Sequence, residues 1–259
     1  MRKRSVCWNI TSRCNSNCEF CYKNIDKSEN SLVQNTDVIK FVSEIGIDKI
    51  TFSGGECLLY PDLLELLKIS HNLNMTNSII TNGKVLNEET IKKLEKYVDY
   101  IIFSIDAINE NINKEIGRGE LQGKNVLDWM RYITKSNTDM EIKLNTVINR
   151  KNLNEISIIA DSIRDIPIVR WKLFKFCGLR GSSVKNYKKY SISDEEYDKV
   201  VNSININCRI ERIKEKDIEE NYFLIDSAGN FCITKNLQDE IICNYKNADI
   251  SKVKELLWS

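Results

Sequence analysis

The sequence predicts an α/β fold. It is a partial (βα)6 TIM-like barrel, incomplete because it has six βα units, and it is followed by a C-terminal extension. Short apolar, β-branched runs alternate with segments whose apolar residues recur at three- and four-residue spacing. Strands that alternate with helices form parallel sheets with right-handed crossovers. Only two prolines occur and no linker divides the chain. We therefore expect one domain over residues 1–259, with a core at about 5–176 and an extension over about 177–259.

The predicted elements follow one another along the first part of the chain. The strand-like runs, rich in β-branched and aromatic residues, cover residues 5–11, 49–52, 77–81, 100–106, 142–148 and 169–176. The segments with one apolar helical face cover residues 37–45, 62–69, 88–97, 125–134 and 155–163. Six units are too few to close a barrel of eight strands, so we expect an incomplete one. Beyond residue 176 the pattern predicts a loop, a helix at 194–204 and a tail.

Composition and charge are those of a globular enzyme. Hydrophobic residues make up 42% of the chain and charged residues 29%. The formal net charge of +1 gives no overall attraction to nucleic acid or to a membrane, so neither partner is expected and any recognition of anions must be local. The sequence shows no signal peptide and no long apolar run, so its nine cysteines do not predict a disulfide framework.

Three cysteines near the start form the most informative motif. Cys14, Cys18 and Cys21 have the spacing Cys-x3-Cys-x2-Cys. A four-iron cluster normally takes four thiolates, so three would leave one iron open to a small molecule. A zinc site is the alternative, but zinc needs four closed ligands, and the single histidine, His71, lies far along the chain. The spacing resembles the signature of radical S-adenosylmethionine (SAM) enzymes, whose open iron binds the methionine part of SAM.

Further candidate residues lie where strands end, because ligands of parallel barrels collect at the carboxyl ends of the strands. The second strand ends in Ser53-Gly54-Gly55-Glu56, where the glycines allow close backbone approach and the carboxylate can accept from an ammonium group. Alone, such a tetrad is usually a turn. One βα unit after the cysteine triplet, it resembles the motif that binds the SAM amino group. Ser104, at the end of the fourth strand, either contacts a ligand or belongs to an ordinary strand-to-loop transition.

Basic side chains on three strands indicate an anionic ligand. They are Lys49 on the second strand, Lys143 on the fifth, and Arg170 and Lys172 on the sixth. Strand side chains alternate, so Lys143 shares a face with Asn145, and Arg170 shares one with Lys172. A cation that faces a barrel interior is costly to bury unpaired, and a triphosphate would compensate several of them. The alternative is that these residues are solvated or ion-paired on the outside.

The later units carry a more specific resemblance. The chain contains in order Ser104-Ile105-Asp106, Ile116-Gly117-Arg118-Gly119, residues 143–150, residues 169–172 and residues 221–226. This ordered set resembles the viperin family of antiviral radical SAM enzymes, in its prokaryotic form. The resemblance extends from about residue 6 to about residue 231.

The resemblance implies the cofactors and the reaction. The cofactors are one 4Fe-4S cluster and SAM, and the reaction converts a ribonucleoside triphosphate (CTP, UTP or GTP) to its 3′-deoxy-3′,4′-didehydro form, which terminates viral RNA synthesis. Ser104 and Arg118 match positions that hold the SAM carboxylate. Tyr222 matches a tyrosine near the ribose that is implicated in the proton or electron step. The implied partners are the nucleotide and an electron donor of the flavodoxin or ferredoxin type, and the implied compartment is the cytoplasm, since cluster thiolates need reducing surroundings.

The chain departs from the family pattern at Cys7 and Asn9, where members typically carry Asn and His near the base, so the preferred base is not predicted. Cys14 also comes too early to leave room for the amphipathic membrane helix of animal viperins, which predicts a soluble, prokaryote-like member.

Two other function classes stay open. Another radical SAM enzyme, such as one that modifies a peptide, would share the cysteine triplet and Gly-Gly-Glu but would not need the basic residues together. A non-catalytic iron–sulfur redox protein would need neither Gly-Gly-Glu nor a basic barrel end.

Overall fold

The computed structural model describes residues 5–22, 29–218 and 223–258 of the chain. Its strands are β1 (Ser5–Thr11), β2 (Lys49–Gly54), β3 (Thr76–Thr81), β4 (Tyr100–Ser104), β5 (Glu141–Ile148), β6 (Ile168–Lys175), β7 (Arg209–Ile213), β8 (Phe223–Ile225), β9 (Asn230–Lys235) and β10 (Gln238–Asn244). The first six agree with the predicted strands to within two residues at each end.

The helices lie between these strands and after them. They are α1 (Leu32–Glu44), α2 (Leu63–Asn72), α3 (Glu88–Leu94), α4 (Glu110–Glu115), α5 (Gln122–Lys135), α6 (Glu155–Ser162), α7 (Ser182–Lys185), α8 (Tyr187–Tyr190), α9 (Asp194–Asn202), α10 (Glu215–Ile218) and α11 (Ile250–Trp258). Helix α1 begins earlier than the predicted residue 37, because Ser31 and Gln34 form a capping box that starts the helix at Leu32.

All ten strands belong to one sheet, in the order β10-β9-β8-β1-β2-β3-β4-β5-β6-β7. Strands β1 to β6 are parallel neighbours in chain order, which confirms the predicted partial barrel of six βα units. The sheet is open, with β10 and β7 at its two edges in the described part of the chain.

Alternation along β1 shows how the sheet divides its side chains. Val6, Trp8 and Ile10 are buried in the main apolar core together with residues of α1 and α2. Cys7 and Asn9 point to the other face and line a cavity. On β5 and β6 the same period of two puts Leu144 and Trp171 in the core, while Asn145 and Lys172 line the cavity.

The C-terminal extension differs from the loop, helix and tail expected from the sequence. Strand β7 pairs in parallel with β6, and β8 pairs in parallel with β1 before turning into the antiparallel strands β9 and β10. The extension therefore covers both edges of the six-stranded barrel, whose backbone groups would otherwise lack partners. The predicted helix at 194–204 corresponds to α9. Among the helices of the described residues, none has the length and apolar character needed to span a bilayer.

Candidate functional site

A cavity of about 410 Å³ opens on the inner face of the barrel, a size typical of small-molecule sites. It is lined both by residues that the sequence predicted to bind the cofactors and by residues that it predicted to bind an anionic substrate. The predicted site residues that line it are Cys18, Cys21, Lys49, Ser53, Gly54, Gly55, Glu56, Ser104, Arg118, Asn145, Arg170 and Lys172. Cys14 and Lys143 are not among the lining residues, and Tyr222 lies outside the described residues.

The loop after β1 carries the three cysteines and is held by backbone hydrogen bonds from two sides. On one side, Gly55 N donates to Thr11 O at 2.7 Å and Glu56 N donates to Arg13 O at 2.8 Å. On the other side, Asn17 N donates to the carbonyl oxygen of Gly117 at 3.1 Å. Two distant segments of the chain therefore fix the path of the cysteine loop.

The glycines of Gly-Gly-Glu serve this backbone packing. A Cβ on Gly54 would lie 2.3 Å from Thr11 O, and one on Gly55 would lie 2.2 Å from Arg13 O. Gly54 also has a φ of +135°, which a residue with a side chain rarely adopts. The sequence predicted that these glycines bring the backbone close to a ligand. In the structure the close approach is to the cysteine loop.

Three thiols in one short loop fit a cluster with one iron per thiolate, and two of them, Cys18 and Cys21, line the cavity. Burial raises the pKa of the Cys18 thiol to about 11, and the nearby Cys21 and Cys14 thiols add to that increase. Within the described ranges no three Cys, His, Asp or Glu side chains form a group that could hold a single metal ion. A cluster does not need such a group, because each thiolate binds a different iron.

Glu56 is almost fully buried and connects β2 to β3. Its carboxylate accepts hydrogen bonds from Asn82 N at 2.7 Å and from Leu58 N at 3.3 Å. Burial raises the pKa of this carboxyl. Asn82, which sequence reasoning did not select, also donates from Nδ2 to Asn15 Oδ1 at 2.8 Å and lies 3.9 Å from the sulfur of Cys14. Glu56 and Asn82 therefore link the Gly-Gly-Glu turn to the cysteine loop.

Arg118 is positioned between the cysteine loop and the end of β4. Its Nε donates to the fully buried carboxylate of Asp106 at 2.6 Å, and its guanidinium lies 5.4 Å from the centre of the Phe20 ring. Burial is the largest single cause and acts to lower the pKa of Arg118, but the charges of Asp106, Cys18 and Cys21 and the hydrogen bond to Asp106 together raise it. Ser104 lines the same part of the cavity. A fixed cation here suits a carboxylate ligand.

Lys49 and Lys143 lie together over one aromatic ring at the start of the strands. The Nζ atoms of Lys49 and Lys143 are 4.6 Å and 2.9 Å from the centre of the Tyr100 ring. Burial, with the nearby charges of Lys49 and Arg170, lowers the pKa of Lys143 to about 7. Lys143 is thus only partly charged near neutral pH, and an anion beside it would favour its charged form.

Arg170 and Lys172 share a counter-ion that was not predicted. Register places Lys172 beside Glu211 of β7, and Glu211 Oε2 lies 3.6 Å from Nη1 of Arg170 and 3.6 Å from Nζ of Lys172. Its other oxygen is 2.8 Å from Arg209 Nη2. The pKa of Lys172 is lowered, mainly because the side chain is buried. Arg170 and Lys172 both line the cavity and share the carboxylate of Glu211.

Sequence reasoning also missed Arg180, which follows β6 and lines the cavity. It forms an ion pair with Asp239 of β10, and its buried Nε has no hydrogen-bond partner among the described residues. The sequence signal for Arg180 was a basic residue that lies shortly after the end of a strand. The buried Oδ1 atom of Asn145 likewise has no partner in the described part of the chain. Both atoms are able to bind a polar ligand.

Comparison with known proteins agrees with this site. The family model described as the Radical SAM superfamily matches residues 8–163. Among solved structures, Streptococcus suis SuiB bound to S-adenosylmethionine is similar over 97% of this chain and 65% of its own, with a TM-score of 0.71 and 15% identity. That similarity establishes the fold.

Curated relatives carry a narrower name. An "S-adenosylmethionine-dependent nucleotide dehydratase" of Flammeovirga pacifica is 30% identical over 242 residues, covering 90% of this chain and 83% of the relative. A protein of the same name from Lacinutrix mariniflava is 30% identical over 88% of this chain and 50% of its own length. The chain therefore belongs to the radical SAM superfamily and, within it, to the family of S-adenosylmethionine-dependent nucleotide dehydratases.

Proposed function

We propose that this protein converts a ribonucleoside triphosphate (CTP, UTP or GTP) to its 3′-deoxy-3′,4′-didehydro analogue. The observation that carries the proposal is that one cavity joins two of the cysteine thiols, a buried arginine and the basic residues of β2 and β6. A redox protein would not need a basic cavity. A peptide-modifying enzyme would have no reason to collect cations at this end of the cavity.

The residues divide into two cofactor sites. Cys14, Cys18 and Cys21 would hold the 4Fe-4S cluster. Ser53, Gly54, Gly55, Glu56, Ser104 and Arg118 would hold SAM. Arg118 is a fixed cation for the methionine carboxylate, and the Gly-Gly-Glu turn would supply polar groups for the amino group. When bound, the cluster and SAM would supply the radical chemistry that removes a hydrogen atom from the substrate.

The basic residues would bind the triphosphate. Arg170 and Lys172 face the cavity, Lys49 lines it, and Lys143 lies behind Lys49 over the Tyr100 ring. Asn145 would contact the substrate with its buried side-chain oxygen. Several anchored cations hold a polyanion in one orientation and so bring the ribose 4′ position to the same place in each cycle. Once the 4′ hydrogen atom has been removed, loss of the 3′-hydroxyl as water would take up one proton and one electron, and the proposed electron donor would supply the electron.

Tyr222 is proposed as the residue that donates a proton or passes an electron during dehydration. Its neighbours along the chain, Phe223 and Leu224, line the cavity, which supports this role. We further propose that residues 1–259 act as one unit, since the described strands of the extension belong to the barrel sheet. We also propose that the protein is cytoplasmic and takes its electron from a flavodoxin- or ferredoxin-type donor. It binds neither membrane nor nucleic acid directly.

The test is transfer of deuterium. The reconstituted protein is incubated without oxygen with dithionite, SAM and each nucleoside triphosphate deuterated at the 4′ carbon. We expect deuterium in 5′-deoxyadenosine with at least one nucleotide and a product smaller by one water. The variant with Cys14, Cys18 and Cys21 all replaced by Ala is the control and should cleave no SAM. Absence of deuterium transfer from CTP, UTP, GTP and ATP alike would contradict the proposed reaction.

A further inference from the structure

Helices α7 and α8 pack directly on the cysteine loop. Ser183 N donates to the carbonyl oxygen of Cys21 at 3.3 Å. Asn186 Nδ2 donates to the carbonyl oxygen of Glu19 at 2.9 Å. This segment, residues 182–190, therefore lies next to the backbone of the proposed cluster ligands. We name it the α7–α8 surface.

Side chains reinforce the same contact. The Glu19 carboxylate, between Cys18 and Cys21, lies 2.5 Å from Lys189 Nζ. It also accepts a hydrogen bond from the Tyr190 hydroxyl at 3.0 Å. The α7–α8 surface and the cysteine loop thus form one packed unit, so a partner that binds this surface is brought close to the cluster site.

The outward side of this surface is apolar in two places and basic around them. Val184 is 54% exposed and Tyr187 is 48% exposed. Lys185 and Lys188 are exposed beside them, and neither forms an ion pair with any residue that the structure describes. Because the whole chain has a net charge of only +1, this positive charge is a local feature.

A continuous row of aromatic rings leads inward from the exposed Tyr187. Its ring centre is 6.1 Å from that of Phe176, Phe176 is 5.8 Å from Tyr190, and Tyr190 is 5.8 Å from Phe20. Phe20 lies in the loop between Cys18 and Cys21. Phe176, Tyr190 and Phe20 are all buried, so a line of neighbouring rings joins this surface to the cysteine loop.

We propose that the α7–α8 surface is the docking site of a reduced flavodoxin-type protein. The exposed edge of a flavin is apolar and suits Val184 and Tyr187. Carboxylates around that edge complement Lys185 and Lys188. In the docked complex the flavin hydroquinone loses one electron and the oxidised cluster gains it. No bond forms or breaks in this step. The inference rests on the proposed cluster site.

The experiment compares two reductants on the holoenzyme. The variant Lys185→Glu/Lys188→Glu should need on the order of tenfold more flavodoxin for half-maximal SAM cleavage at low salt, since both attractions become repulsions. With dithionite, which needs no docking site, its rate should equal that of the wild type. Calorimetric titration of oxidised flavodoxin into the protein should show the same loss of affinity without any turnover.

The matched control is Lys92→Glu/Lys96→Glu, which makes the same change of charge on exposed lysines at the opposite end of the sheet, just before β4. This control should behave as the wild type in both assays. The proposal would be overturned if the two variants responded equally, or if the rate of SAM cleavage fell in parallel with dithionite. It would also be overturned if the Lys185→Glu/Lys188→Glu change slowed SAM cleavage with ferredoxin but not with flavodoxin. A wild type that cleaves no SAM with either reductant would contradict the proposed function instead, and the calorimetric titration would still decide the docking site.

Discussion

Glu211 shows what single residues contribute to the basic end of the cavity. Arg170 and Lys172 are neighbouring like charges that both line the cavity. The Glu211 carboxylate is 3.6 Å from each of them, close enough to attract both but too far for a short hydrogen bond. In the proposed complex, this loose counter-ion would be exchanged for phosphate oxygens.

The first prediction follows from this exchange. Lys172→Ala should weaken triphosphate binding about 10- to 150-fold, because a charge-assisted hydrogen bond is worth about 1.5–3 kcal/mol. Glu211→Gln should instead strengthen it about two- to fivefold by removing the competing charge. Equilibrium binding of each nucleotide to the iron-loaded protein would measure both. The Lys172 penalty should be larger for a triphosphate than for the monophosphate. Equal losses for the two nucleotides would contradict a phosphate role.

The second prediction concerns pH. In the protein without an anion, burial lowers the pKa of Lys143 to about 7. A bound triphosphate favours the protonated amine and raises that pKa, so between the two values binding takes up a proton and weakens as the pH rises. At about pH 8, calorimetry in buffers with different heats of ionisation should detect uptake of a fraction of a proton, up to about one.

Lys143→Gln is the control for that measurement, because it removes the titrating amine and keeps a polar side chain of similar length. The proton uptake assigned to Lys143 should disappear in this variant, while any contribution from the phosphate itself should stay. Unchanged uptake would show that another group titrates.

Among the elements, the turn after β2 and the cysteine loop after β1 behave as one structural unit. Two backbone hydrogen bonds and two crowded glycines join them, and Glu56 with Asn82 extends the connection to β3. These contacts from the segments after β2 and β3 therefore help to hold the path of the cysteine loop. Strand order places these loops side by side, since β1, β2 and β3 are adjacent and parallel.

The third prediction tests this unit. In Gly55→Ala the added Cβ would lie 2.2 Å from the carbonyl oxygen of Arg13, so the two loops must separate. We expect a loss of about 1–3 kcal/mol in the free energy of unfolding and less iron per chain after reconstitution. Gly46→Ala is the control. Its φ of 85° disfavours an added side chain, and it lies beyond α1, away from the site. It should destabilise the fold by about 1 kcal/mol and keep full iron content.

At the scale of the whole molecule, the extension completes the barrel sheet. Strand β8 pairs with β1, the strand that carries the cysteine loop, and Trp8 Nε1 donates to Asp226 O at 3.2 Å. Phe231 of β9 packs edge-on against Phe41 of α1, with ring centres 5.2 Å apart. The apolar core is therefore shared between the first helix and the last strands.

The fourth prediction follows from the shared core. Phe231→Ala should lower the free energy of unfolding of the whole protein by about 3–5 kcal/mol, because the side chain is fully buried. Ile241→Ala on the neighbouring strand should change it by less than about 0.5 kcal/mol, since Ile241 is 63% exposed. Thermal unfolding followed by circular dichroism would measure both. Two separate unfolding transitions, with only one shifted by Phe231→Ala, would show that the extension is an independent unit.

The sequence by itself determined the six βα units, the cysteine loop and the faces that carry Lys143, Asn145, Arg170 and Lys172. These features are local, because a period of two or of three to four residues and the spacing of a loop motif are visible within short windows. Only the tertiary structure decided which segments complete the site. Arg180 lines the cavity from the extension, Glu211 of β7 pairs with Lys172, and β7 and β8 cover the edges of the barrel. Pairing at a sheet edge joins residues far apart in the chain and depends on which backbone groups the rest of the fold leaves open, so no local pattern specifies it.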